Sequence, residues 1–340
     1  AAQKAALQSE ALAEAARQRY TLRALCEQYV AHLKSSGKAA SAYDANNIFQ
    51  NHLFKRAPAL ANAPAAGIEA EPLTDLLRAL NEGGIGRTAN KLRSYLGSAY
   101  NHALRARFDP SVPLAFKSFG VTLNPIKSTF RIKGADADAK NPLTLAELRR
   151  YWEAISDIPG VEGATLRLQV LTGGQRIAQL LRASKASDFG DRLRLLDTKG
   201  KREKPREHFV PLLPEARAEL DFLLWVNPGQ YLFSTTKGAK SVNPMTLTNW
   251  AGKAAARAGI ADFDAKRVRS GVETLLASRR ISSDVRAQLQ SHGLGGVQQR
   301  HYDGHDYHAE KLHALQTLME ALQGTPAANV FPLEALRAAA

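Results

Sequence analysis

Prolines at 110, 113, 125 and 142 interrupt a chain whose apolar residues otherwise recur mostly at helical spacing. Each proline ring fixes φ, removes a backbone donor and pushes the preceding residue away from helical geometry. No long helix can cross residues 109–142, so this segment reads as a linker with one folded body on either side. The length agrees, since 340 residues exceed what one hydrophobic core usually organises.

The body before the linker reads as wholly helical. Leu22, Leu25, Cys26, Tyr29, Val30 and Leu33 share one face of a helix over Thr21–Lys34, with Thr21 as its N-cap. Further helices are expected over Ser41–Leu53, Pro72–Leu80 and Thr88–Arg107, with a Pro- and Ala-rich loop at 57–67. The last of these buries Leu92, Tyr95, Leu96, Ala99, Tyr100, Ala103 and Leu104, while Lys91, Arg93, Arg105 and Arg107 point elsewhere. The Ala/Glu-rich residues 1–19 read as one more helix, a connector. It follows either a missing N-terminal region or a processed end.

The body after the linker, 143–323, begins with Thr144 and Glu147, a capping box worth ~1 kcal/mol at a helix start. A buried helix over Val161–Thr172 is broken by Gly173-Gly174 just before Gln175-Arg176. Leu193–Leu196 and His208–Leu212 read as two short strands around a basic turn. Helices follow over Pro214–Leu224, Pro244–Gly259, Val272–Ser278, Ser283–Gln290 (Ser283 as cap) and Glu310–Leu322, then a tail at 324–340. The expected class is therefore mainly α with a small antiparallel β-sheet, α+β in the second body.

Charge narrows the function. A formal net charge of +14 on a globular composition favours a polyanionic partner. Between Arg87 and Lys133 nine Lys/Arg stand against one acidic residue, Asp109. Arg87, Lys91, Arg93, Arg105, Lys117, Lys127, Arg131 and Lys133 therefore suit a segment lying along a phosphate backbone, as do Lys201 and Arg202 on the basic turn. No apolar run reaches the ~18 residues of a membrane span. Cys26 is the only cysteine, which rules out an internal disulfide and cysteine-rich zinc sites and suits a reducing cytoplasm. His301 and His305 lack carboxylate or cysteine partners at ligand spacing. No P-loop, dinucleotide fingerprint or nucleophile-elbow serine is present.

The residues able to do chemistry come in one order. Arg176 follows the Gly-Gly break in Leu171-Thr172-Gly173-Gly174-Gln175-Arg176; Lys199 tips the hairpin in Thr198-Lys199-Gly200. Lys266 and Arg269, three apart at a helix entrance, share a face, and His292 ends Leu289-Gln290-Ser291-His292. Tyr302 comes ten positions later, with Tyr307 as its rival; Tyr302 has the better spacing and Tyr307 reads as packing. This order resembles the catalytic domain of the tyrosine recombinases, the phage-integrase family, of the prophage and genomic-island type. The helical body before the linker resembles that family's SAM-like core-binding domain, and 1–19 the connector after an arm-binding domain. The resemblance spans roughly residues 20–323. Two positions depart from the pattern: Lys266 stands where histidine is commoner, and Gln179 replaces a frequent glutamate, which puts a structural ion pair in doubt.

The resemblance implies site-specific DNA strand cleavage and rejoining through a 3′-phosphotyrosyl link at Tyr302, integrating or excising a mobile element. It implies that Arg176 and Arg269 grip the phosphate, that Lys199 protonates the leaving oxygen, and that Lys266 and His292 complete the set. No metal, cofactor or ATP is called for, since fixed cations do the charge work and bond energy is retained. Implied partners are duplex attachment-site DNA, further copies of the chain in a tetramer on DNA, a DNA-bending host factor and an excisionase, in the bacterial cytoplasm at the nucleoid. The two bodies would close around duplex DNA. The helix 310–322 either contacts a neighbouring protomer or packs on its own body. Two alternatives stay open: a DNA-relaxing enzyme of the type IB topoisomerase kind, and a non-catalytic DNA-binding protein of the same fold.

Overall fold

The computed structural model describes residues 19–135, 141–198, 205–292 and 305–324. It divides into two compact units, 1–139 and 140–340. The expected connector up to residue 18 and the tail from residue 325 lie outside the described residues.

In the first unit, α1 spans Leu22–Ser35, and the Thr21 hydroxyl accepts from the Ala24 amide at 3.2 Å, the expected cap. All six predicted face residues of α1 are buried. Next, α2 (Ala39–Phe49) continues into a π-helical turn, Gln50–Phe54. The expected loop at 57–67 contains a short helix, α3 (Pro58–Asn62), because Pro58 falls in its first turn, where a missing N–H costs nothing. Then come α4 (Ala70–Glu82) and α5 (Gly86–Arg105).

The expected linker is largely part of this unit. Phe116, Phe119, Val121 and Ile126 are buried in the same core as α1 to α5. Short 3-10 turns at Leu114–Phe119 and Pro125–Ser128 carry two of the phenylalanines and Ile126. Polar groups of α5 tie the strand-like remainder down. Asn90 exchanges bonds with the Ile132 backbone at 2.9 and 3.0 Å, and Arg93 Nη2 donates to the Thr129 carbonyl at 2.7 Å. Prolines forbid a long α-helix here but not burial, and burial along an irregular chain leaves no period to read.

In the second unit, α6 (Leu145–Ser156) has its capping box: the Glu147 amide donates to Thr144 Oγ1 at 3.2 Å, and the Thr144 amide to Glu147 Oε2 at 2.8 Å. α7 (Gly160–Leu171) is buried along its second half, and α8 (Ile177–Leu180) is one turn. β1 (Arg192–Asp197) pairs antiparallel with β2 (Arg206–Pro211), setting Leu195 opposite His208 and Asp197 opposite Arg206. α9 (Pro214–Val226), α10 (Pro244–Arg257), α11 (Lys266–Ser278), α12 (Ser283–Gln290) and α13 (His308–Gln323) complete the unit.

Two helix starts differ from expectation. α11 begins six residues before Val272, because Asp264 Oδ1 accepts from the Lys266 amide and starts the turn early. The cap of α12 is Ser282, not Ser283. α13 packs on its own unit: Ala314, Leu315, Leu318 and Leu322 sit in the core, and Arg149 Nε donates to the Ala321 carbonyl at 2.7 Å. No helix among the described residues is long and apolar enough to cross a membrane.

Candidate active site

The Gly-Gly break after α7 is where the site begins. Gly173 and Gly174 have φ of 85° and 71°, and their amides return to the carbonyls of Val170 and Gln169. A Cβ on Gly174 would come 2.9 Å from Arg269 Cα, and one on Gly173 would come 2.9 Å from the Leu289 side chain. Glycine is required twice over here, for a left-handed turn and for the close approach of α11 and α12.

Buried amides stitch the three segments together. Gln175 Nε2 donates to the carbonyls of Thr172 (2.6 Å) and Leu289 (2.8 Å). Gln290 Nε2 donates to the carbonyls of Gly173 (3.0 Å) and Arg269 (3.1 Å). Two of these bonds, Gln175 to Leu289 and Gln290 to Gly173, join segments more than 110 positions apart in sequence, and all four give buried carbonyls a donor.

Two guanidinium groups project from this frame. Arg176, at the entrance of α8, donates from Nη2 to the Ser291 carbonyl at 3.1 Å. Arg269, on the first turn of α11, donates from Nη1 to the Gly174 carbonyl at 3.1 Å and from Nη2 to the Gln290 carbonyl. Burial, and after it the charge of Arg176, pull the Arg269 guanidinium down to about 10. Both effects penalise the cation, so an arriving anion would relieve a cost already present. His292 is exposed and follows Ser291, whose carbonyl Arg176 holds.

The remaining predicted residues divide. Lys266 heads α11 with its side chain 80% exposed, its ammonium 3.9 Å from an Asp264 carboxylate oxygen. Its neighbour Arg267 is structural: buried, it donates to the carbonyls of Asn141 and Ala261 and to Glu147. Lys199, Lys201, Arg202, His301 and Tyr302 lie outside the described residues. The rival Tyr307 stands at the start of α13 with its ring 4.7 Å from that of His305.

Three residues of this neighbourhood escaped the sequence reading: Asp197, Arg206 and Ser291. Ser291 Oγ donates to Asp197 Oδ2 at 2.6 Å and accepts from Arg206 Nη2. Asp197 Oδ2 also lies 3.7 Å from Arg176 Nη1 and 3.8 Å from Arg206 Nη2. One signal for Asp197 was in the sequence. Strand alternation puts it on the inward face with Leu193 and Leu195, and an inward carboxylate needs partners.

In the first unit, α5 gathers a second set of cations. Arg87, Lys91, Arg93 and Arg131 line one hollow with Asn90 and Ser94, and Arg93 and Lys127 line another. Some are partly engaged within the protein: Lys91 Nζ meets Asp44 at 2.6 Å, Arg93 holds Thr129, and Arg105 pairs with Asp109. Lys117 and Lys133 are exposed and line neither hollow.

No family model and no curated protein matches the sequence. Solved structures do match the fold. A lambda integrase tetramer bound to a Holliday junction superposes with a TM-score of 0.60 at 20% identity, over 80% of this chain and 77% of that one. The Tn1549 transposon integrase, residues 82–397 with circular intermediate DNA, gives 0.58 at 15% identity, over 83% and 95%. The XerH site-specific recombinase bound to its difH substrate gives 0.50 at 16% identity, over 84% and 76%. The chain thus has the fold of these integrases and recombinases, a helical unit followed by a mainly α unit with one small antiparallel hairpin.

Proposed function

We propose that this chain is a site-specific tyrosine recombinase that cuts and rejoins duplex DNA. The observation that carries the reading is the meeting of Arg176 and Arg269 around one glycine turn, with His292 next to the carbonyl that Arg176 holds. These residues come from segments about a hundred positions apart, in the fold of proteins solved on recombination DNA.

The chemistry follows from charge. When the Tyr302 phenolic oxygen attacks a phosphodiester, a fifth oxygen joins phosphorus and a second negative charge develops on the non-bridging oxygens. Two forked guanidinium donors and an imidazole answer that charge with fixed hydrogen bonds. The phenol, with a usual pKa near ~10, gives up its proton to water as the P–O bond forms, and the surrounding cations stabilise the phenolate character that develops. The bond to the 5′-oxygen breaks, and Lys199 supplies the proton that the leaving oxygen takes. A 3′-phosphotyrosyl bond and a free 5′-hydroxyl result, and attack by another strand's 5′-hydroxyl reverses the step on a new partner. Lys266, exposed at the head of α11, serves as a further phosphate donor rather than a base.

In the first unit, the hollows along α5 take the DNA backbone, with Arg87, Lys91, Arg93, Lys127 and Arg131 as contacts. Joining two duplexes calls for a tetramer on DNA, the state of the lambda integrase structure. Nicked duplexes drawn from the DNA beside the gene, in which the freed end diffuses away, trap the covalent step. The wild-type chain is expected to form an adduct that resists detergent, and Tyr302→Phe none. No wild-type adduct, or an adduct with Tyr302→Phe, refutes the mechanism.

A further inference from the structure

Asp197 is a carboxylate where the surrounding charge is positive. It ends β1 on the inward face, only 6% exposed, and stands opposite Arg206 in the hairpin register. One of its oxygens accepts from Ser291 Oγ and lies within 3.8 Å of both Arg176 and Arg206. Ser291 in turn is held at both ends. Its carbonyl accepts from Arg176, and its hydroxyl bonds Asp197 and Arg206. Its backbone is left-handed, with φ of 52°, at the end of α12, and the next residue is His292. A non-glycine residue keeps that conformation only when its surroundings insist on it.

We propose that Asp197 is a positioning residue for DNA cleavage, fixing Arg176 and the Ser291-His292 turn before the phosphate arrives. The inference rests on the recombinase reading above. Gln179, three residues after Arg176, cannot supply a counter-charge; it is buried, and neither side-chain polar atom is hydrogen-bonded among the described residues. The carboxylate comes instead from β1, across the unit. Its distances to the two arginines are those of an ion pair, not of a forked hydrogen bond. Arg176 Nη1 therefore keeps its donors, and it makes no hydrogen bond among the described residues. Among the described residues, Arg176, Arg206 and Arg269 outnumber Asp197 and Glu273, the carboxylates that act on them, so the site stays positive, as a doubly charged transition state requires. The same strand leads directly to Thr198 and Lys199, so the carboxylate also anchors the chain two residues before the proposed proton donor.

The test compares wild type, Asp197→Asn, Asp197→Glu and Ser291→Ala on nicked duplexes carrying either a normal scissile phosphate or a methylphosphonate there. The methylphosphonate has one non-bridging oxygen replaced by a methyl group and one charge fewer, so its cleavage depends less on an oriented guanidinium. Asp197→Asn is expected to bind the duplex within about threefold of wild type, yet form adduct about 100-fold more slowly on the phosphate, the cost of a misplaced catalytic group. On the methylphosphonate the gap should shrink to under about tenfold, and Asp197→Glu should recover part of the rate on the phosphate. Should Asp197→Asn fail to fold, Ser291→Ala carries the same comparison, since it removes one hydroxyl from a folded frame. Equal losses on both substrates, or no loss on the phosphate, overturn the positioning role and leave the recombinase reading standing. No adduct from wild type on the phosphate overturns that reading and this inference with it.

Discussion

Gly174→Ala probes the turn on which the candidate site is built. The substitution asks alanine to adopt a φ of 71°, which costs about 1–2 kcal/mol for an L-residue. It also drives a Cβ to within 2.9 Å of Arg269 Cα. Backbone cannot swing aside as a long side chain would, so α11 must shift, and overpacking of this kind costs about 1–3 kcal/mol. The total is around 3 kcal/mol, a fall in Tm of roughly 6–12 °C for a unit of this size. Gly259→Ala is the control. It has a φ of 63° and nothing within 4 Å of the added Cβ, so it meets only the first cost, roughly 2–8 °C. Trp152, Trp225 and Trp250 are the only tryptophans and all lie in the second unit, so tryptophan fluorescence follows that unit's melting alone. Gly174→Ala should also lose adduct formation, because the Gly174 carbonyl holds Arg269. If the two variants melt within a degree of each other, the close approach of α11 is not what demands glycine at 174.

Two further outcomes test other parts of the structure. Phe116→Ala should cost about 3–5 kcal/mol in far-UV circular dichroism melts of the first unit while leaving the tryptophan transition unchanged, because Phe116 is fully buried in that unit's core. A free linker at 109–135 would show no such loss. His208 is buried, bonded to the Leu289 backbone, and held down to about 3, first by desolvation and then by Lys311 and Arg206. Between the ordinary histidine value of ~6.5 and about 3, the unfolded chain takes up a proton that the folded one refuses, so stability falls as pH drops, by at most ~1.4 kcal/mol per pH unit from this group. His208→Gln should flatten that acid limb in urea titrations between pH 6 and 4; an unchanged slope would show that His208 does not titrate on unfolding.

Where the information sat can be seen residue by residue. Thr144 and Glu147 were legible as a capping box because a cap is a contact between residues three apart. The buried face of α1 was legible for the same reason: a helix repeats its contacts every three or four residues. The segment 109–135 is only partly legible, since Phe116, Phe119 and Ile126 are buried without any period. Arg267 and Arg269 are two apart and alike in chemistry, yet one is structural and the other faces the site. Their difference depends on what lies opposite: the Asn141 carbonyl and Glu147 for Arg267, the Gly174 carbonyl for Arg269.

The amino-acid order by itself determined the helical character of both units, a hairpin with strands near Leu193–Leu196 and His208–Leu212, and which cations stand at glycine turns and helix starts. Those features depend on backbone propensity, caps and spacing, all of which act within a few residues. Only the tertiary structure decided that Arg176 meets Ser291 across 115 positions, that Arg206 reaches the same serine across 85, and that Asp197 is the carboxylate among them. Such contacts are selected by packing and by the cost of burying an unpaired charge, and neither leaves a spacing along the chain.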